Sequence, residues 1–88
     1  MLRYPVKLSR DTNGAILVDV PDLPEAHTFG DNEQEALTHA ADAIETALIL
    51  YIEDRRNIPR PSIAKRGMKV VNLRALAEAK VALYSAMR

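Results

Sequence analysis

The sequence has no cysteine, no tryptophan, only three glycines and no surplus of either charge, with twelve Lys and Arg against twelve Asp and Glu. Without cysteine there is no disulfide framework and no thiolate metal site. The balanced charge lacks the strongly basic footprint of a domain that lives on nucleic acid. No apolar run approaches the roughly 20 residues that cross a bilayer. No signal-peptide pattern opens the chain, so a cytoplasmic protein without membrane contact is expected. Gly14, Gly30 and Gly67 are isolated, each sufficient for a turn and none for a phosphate cradle. Nucleophile elbows and zinc motifs are missing as well. Eighty-eight residues make one small domain with a limited core, a size often helped by partners or self-association.

What is present centres on Asn32 to Arg55, a stretch without Gly or Pro. Leu37, Ala40, Ile44, Ala47, Leu48 and Tyr51 recur at three- and four-residue steps and predict one apolar side of an α-helix. Glu33, Gln34, Thr38, Asp42, Glu45 and Glu53 fall mostly on the other side. Asp31 or Asn32 can cap the start, with Glu35 as the capping-box partner of Asn32. Acidic residues at the start and Arg55 and Arg56 at the end suit the helix dipole.

Before this helix, Arg3 to Ser9 alternate, with Tyr4, Val6 and Leu8 on one side of a half-buried strand. Pro5 lacks an N–H, so this strand is expected at a sheet edge or open to water there. Residues 10–14 form a hairpin turn, because Asn13 and Gly14 both tolerate positive φ. Residues 15–20 return with Ile16, Val18 and Val20 inward. A Pro-bounded bend at 21–26 leads to a short strand at His27, Thr28 and Phe29. After the helix, Pro59 and Pro61 impose an extended, exposed connection over 57–67. Met68 to Leu73 predicts a further strand. Arg74 to Arg88 predicts a second helix, capped by Asn72, with Leu76, Ala77, Lys80, Val81, Tyr84 and Met87 sharing a side. The order β-β-β-α-β-α gives an α+β layer of one helix on one sheet face.

Few residues invite chemistry. His27 and His39 lie twelve apart without ligand spacing, and neither a metal site nor a cofactor is expected. Asp19, Asp22 and Glu25 cluster in sequence around the second bend. They suit a solvated turn, an acidic contact patch for a basic partner, or the start of a metal-dependent hydrolase site. Asp19 should point outward if Val18 and Val20 point inward, which disfavours a converging carboxylate cage. The basic stretch from Arg55 to Arg66 lacks interleaved aromatics and reads as a solvated linker. Ile49, Leu50 and Ile52 widen the apolar surface of the long helix. With Val81 and Tyr84 on the last helix they form a candidate oligomer interface, and at least a homodimer is expected.

Several phrases occur together in order: RYPV at 3–6, NG at 13–14, VPDLPEA at 20–26, FGDNEQEALTHAADAIETALILYIEDRR at 29–56, NIPRPS at 57–62 and VVNL at 70–73. Together they resemble the N-terminal domain of the HicB antitoxin family. That family enters its helix through an Asp-rich or Thr-capped turn; here Asn32 takes the place with the same chemistry. The resemblance implies a partial RNase H-like β-β-β-α-β core over 1–73 that binds a toxin, and a C-terminal helix, 74–88, leading to a DNA-binding domain absent from this chain. It implies an antitoxin, not an enzyme, whose partner is a HicA-like mRNA-cleaving toxin. Asp19, Asp22, Leu23, Pro24 and Glu25 are the candidate toxin-binding residues. Operator DNA would be bound only through the absent domain, as in autorepression by a full-length protein. The competing possibility is a stand-alone oligomeric regulatory module.

Overall fold

The computed structural model describes residues 3–73, 81–84 and 86. Four strands and one long helix follow in the order β1 (Arg3–Arg10), β2 (Ile16–Asp19), β3 (Thr28–Gly30), α1 (Glu33–Glu53) and β4 (Lys69–Asn72). The sheet order is β3-β2-β1-β4 with every neighbouring pair antiparallel. The chain leaves the sheet at one edge, β3, and re-enters at the other, β4. Helix α1 therefore lies across one face, and the expected α+β layer is observed.

The alternation in β1 sends Tyr4 and Val6 wholly into the core, with Leu8 packed at its margin. Val18, Val20 and Val71 arrive from β2, the bend after it and β4; Ala40, Ile44, Ala47, Leu48 and Tyr51 arrive from α1. Ala36 is also fully buried, whereas Leu37 is only partly so. The reason is Gly30. A Cβ at Gly30 would collide with the backbone N and Cα of Ala36, so the first turn of α1 rests directly on the end of β3.

The start of α1 is fixed by Asn32, whose side chain accepts from the Glu35 N–H at 2.8 Å. Glu35 reaches back to the N–H of Asp31 at 3.2 Å, one residue before the usual capping-box position. The other end differs from expectation. The helix stops at Glu53 with no basic residue in its last turn. Arg55 is left-handed at φ 57°, the one non-glycine with positive φ among the described residues. Its N–H donates to the Ile52 carbonyl at 3.1 Å, and the Arg56 N–H donates to Tyr51 at 2.9 Å. This is a Schellman closure with arginine where glycine is usual.

Two strand expectations change. Pro5 is buried, and β1 is an inner strand. The missing N–H is tolerated because β1 is divided end to end: Arg3 to Val6 pair with β4, Lys7 to Arg10 with β2. At Pro5 the strand has a neighbour on one side only. In the first hairpin only Gly14 is left-handed, at φ 87°. The Gly14 N–H donates to the Asp11 carbonyl at 3.0 Å, a turn followed by a left-handed glycine and not a doubly left-handed pair.

Of the predicted C-terminal helix, 74–80 lie outside the described residues, as do Met87 and Arg88. Residues 81–84 are helical. Val81 is buried in the same core, and the Tyr84 hydroxyl donates to the Arg56 carbonyl at 3.0 Å. This part of the chain thus packs onto its own domain.

Candidate functional site

The bend after β2 is built from two successive turns. The Leu23 N–H donates to Val20 and the Ala26 N–H to Leu23, each at 2.9 Å. They turn Leu23 and Ala26 into the core and leave Pro24 and Glu25 exposed, with Asp22 half-buried. The acidic residues of the bend then separate. Asp19 is exposed on the sheet face away from α1, across from Lys7 on β1. Both oxygens of Asp22 accept from Ser62, from its N–H at 2.7 Å and its hydroxyl at 2.6 Å. Glu25 accepts from the Tyr51 hydroxyl at 3.2 Å and pairs with Arg56 at 3.4 Å. Among the described residues no three His, Asp or Glu side chains gather closely enough to hold a metal ion.

These contacts clamp the segment that follows α1. Residues 57–67 are irregular, as the prolines require. They are nonetheless held: Ser62 by Asp22, and Pro59 by the Tyr4 hydroxyl, which donates to its carbonyl at 2.7 Å. Ile58 packs against the core. The expected solvated linker is therefore a strap held to the body, with all three of its charged residues, Arg60, Lys65 and Arg66, exposed. Arg56 pairs with Asp54 at 3.4 Å as well as with Glu25, and lies over the Tyr51 ring at 4.0 Å.

The electrostatics follow from this geometry. Burial pushes the Tyr4 phenol up to about 12, helped by the negative charge of Asp22 and by Tyr51. Tyr51 is raised too, first by burial and then by its hydrogen bond to Glu25. Glu25 is lowered, chiefly by a hydrogen bond from its own backbone and then by Tyr51 and Arg56.

Beside the bend runs a shallow open groove. One wall is Glu25 and Thr28; the other is His39, Asp42, Thr46 and Leu50 of α1, with Ala43 and Ala47 beneath. The helical wall is a second stripe of α1, adjacent to the buried one. Nδ1 of His39 lies 2.7 Å from the Phe29 carbonyl and so carries the proton it donates there. Ile49 and Leu50 stand 44% and 46% exposed at the end of this flank.

A family model described as the HicB-like antitoxin of bacterial toxin–antitoxin systems matches residues 3–82. Among curated relatives, the chain is 46% identical over 86 residues to Antitoxin HicB 2 of Photorhabdus laumondii, covering 98% of this chain and 60% of that protein. It is 36% identical over 88 residues to Antitoxin HicB of Pseudomonas fluorescens, 99% of this chain and 60% of the relative. The HicB antitoxin of Escherichia coli K12 is 36% identical over 85 residues, 97% of this chain and 62% of the relative.

The chain belongs to the HicB-like antitoxin family. It spans about three-fifths of the length of these HicB relatives. In this HicB-like domain the five expected toxin-binding residues do not form one patch. Leu23 leaves the set because it is wholly buried and anchors the bend. Asp19 faces the opposite way, and Asp22 is occupied by the strap. Pro24 and Glu25 remain exposed, and Glu25 also lines the groove. Of the expected oligomer interface, Val81 is corrected to a core residue of its own chain. Tyr84 is half-buried with its hydroxyl engaged, and Ile52 is half-buried. Ile49 and Leu50 keep an open apolar surface.

Sequence reading missed the His39 stripe and a segregation of charge. Asp31, Glu33, Glu35, Asp42, Glu45, Glu53 and Asp54 fall between 31 and 54 with no Lys or Arg among them. Arg55, Arg56, Arg60, Lys65, Arg66 and Lys69 follow with no Asp or Glu. The zero net charge concealed an acidic helix joined to a basic strap.

Proposed function

We propose that this HicB-like domain is the toxin-binding part of an antitoxin. It neutralises a HicA-type mRNA-cleaving toxin by covering the surface on which RNA is cut, and makes or breaks no bond itself. The observation that carries the reading is the family match over residues 3–82, joined to relatives named HicB antitoxins at 36–46% identity. The fold is compatible with a blocking role. It is a rigid helix-on-sheet body whose bend carboxylates are separated and partly engaged, so they do not converge on a substrate or a metal. No described helix is long and apolar enough to cross a membrane. Self-association is assigned to the exposed apolar side chains Ile49 and Leu50.

The test is to mix the purified chain with a HicA-type toxin and follow cleavage of a labelled mRNA. The toxin alone should cut; the stoichiometric mixture should not, and the two proteins should co-elute as one complex. Unchanged cleavage in the mixture, or cleavage by this chain alone, would remove the antitoxin reading.

A further inference from the structure

The acidic flank of α1 offers no free field, because Arg56 pairs with Glu25 and Asp54, and Lys69 with Glu33. The strap's cations, Arg60, Lys65 and Arg66, come without an aromatic in the strap on which a base could stack. The remaining surface is the sheet face away from α1. Its parts are arranged to fit a second copy of themselves.

Strand register fixes which residues share that face. Tyr4, Val6 and Val18 point to α1, so Pro5, Lys7, Ser9, Leu17 and Asp19 point away. Leu17 stands opposite Phe29 on β3, and Pro5 opposite Val70 on β4. In the order β3-β2-β1-β4 the face carries Phe29 at one corner, Asp19 and Lys7 side by side in the middle, and Val70 at the opposite corner. Phe29 is 59% exposed. At the other corner lies a groove lined by Pro5, Val70, Pro61, Ile63 and Ala64, with Arg3 beside them. Its strap wall is fixed by the Ser62 hydrogen bonds to Asp22 and by the Tyr4 bond to Pro59, so the groove exists before anything enters it.

We infer that this sheet face is an isologous contact between two copies of the chain, with Phe29 of each seated in the groove of the other. Three strand spacings across the sheet and four residues along β1 separate Phe29 from Val70, a diagonal of about 20 Å. Its midpoint falls between β1 and β2, in the row of Lys7 and Asp19. A two-fold axis through that midpoint, in the plane of the contact and perpendicular to the diagonal, does two things at once. It brings each Phe29 over the other copy's groove, and each Lys7 against the other copy's Asp19. One cation and one anion side by side match their own inverted image, whereas a partner of single sign would be half repelled. Arg3 then meets the Phe29 ring as a cation over an aromatic face. The strands of the two sheets cross at about 90°, one of the two angles at which sheets pack. Ile49 and Leu50 lie on the opposite layer, so this is a second interface, and it does not depend on the antitoxin reading.

Sedimentation of the full chain measures association for wild type, Phe29→Asp, Lys7→Asp, Asp19→Lys and Leu50→Asp. All four positions are exposed, and circular dichroism checks that each variant folds. Phe29→Asp should weaken association about 30-fold, the scale of an interface hot spot. Lys7→Asp and Asp19→Lys should each weaken it about tenfold, because each sets like charges against one another beside the axis. Mixed one to one, those two variants should associate as tightly as wild type, since each copy then supplies the charge the other lacks. A role for Lys7 and Asp19 within one chain would give no such recovery. Leu50→Asp should leave this contact in place. A wild type that stays monomeric at high micromolar concentration, a Phe29→Asp that associates as wild type does, a mixture no tighter than its parts, or loss of all association in Leu50→Asp would each overturn the assignment.

Discussion

Helix α1 and the strap that follows it are neighbours in sequence and opposites in almost every property. The helix is acidic, regular and fixed by local rules: a cap at Asn32, a stripe at three- and four-residue steps, no Gly or Pro inside. The strap is basic, irregular and held by residues far away in the chain, Tyr4 at a separation of 55 and Asp22 at 40. The difference shows which parts of a small domain are written into nearby residues and which exist only after collapse. Perturbing the helix should therefore cost global stability, whereas perturbing the strap should release a segment and leave the body folded.

The largest effect should come from the helix. Ile44 is fully buried at the centre of its stripe. Ile44→Ala should destabilise the domain by about 2–5 kcal/mol, the range for a large-to-small change in a packed core. Denaturant melts should show one cooperative transition at lower midpoint. A biphasic melt, with the sheet lost separately from α1, would contradict a single shared core.

The next is pH dependence carried by the strap's anchor. The folded protein holds the Tyr4 proton up to about 12, whereas the unfolded chain releases it near 10. Between those values the unfolded state binds fewer protons, so raising the pH favours unfolding. Stability should be level below pH 10 from this group and fall as pH rises from 10 to 12. Tyr4→Phe should flatten that fall, while at neutral pH it loses the bond to the Pro59 carbonyl, about 1 kcal/mol. Thermal melts at pH 8, 10 and 11 on both proteins check it. An equal loss in Tyr4→Phe would assign the fall to other groups.

These contrasts explain what was legible beforehand. The periodicity of α1, the alternation of β1 and β2, the Asn32 cap and the order of the elements all rest on residues within a few positions of one another. Pro5 was misjudged because its tolerance depends on how β1 is shared between β2 and β4, a matter of register. Leu23 was misjudged because a leucine among Asp22, Pro24 and Glu25 looks like part of a surface turn until the turn is closed onto the core. Val81 belongs to the core for the same non-local reason. The groove was invisible because it joins Glu25 and Thr28 to a stripe of α1 on which polar and apolar residues alternate without a motif.

Asp22→Ala sharpens the comparison from the strap's side. It removes both Ser62 hydrogen bonds, yet Asp22 is half-buried and Ser62 exposed. The loss should be about 1–2 kcal/mol, within the range for hydrogen bonds to a charged group. The more telling readout is local. Trypsin should cut after Lys65 or Arg66 faster than in wild type, while amide exchange in α1 is unchanged. Accelerated exchange throughout α1 would mean that strap and helix form one cooperative unit.

The smallest expected effect lies at the join between the two regions and has the opposite sign. Arg55 carries the left-handed conformation that closes α1 and begins the strap. A side chain there strains against its own carbonyl, a cost glycine does not bear, though glycine loses more freedom on folding. Arg55→Gly should therefore gain about 0.5–1 kcal/mol, the net of those two terms. A gain seen as a higher denaturation midpoint, with the Asn32-capped end of α1 unaffected in amide exchange, would show that the helix is limited by its C-terminal closure. A loss would show that the arginine side chain contributes more to the strap than its backbone costs the helix, and the border between the two regions would then be drawn by a side chain and not by the turn.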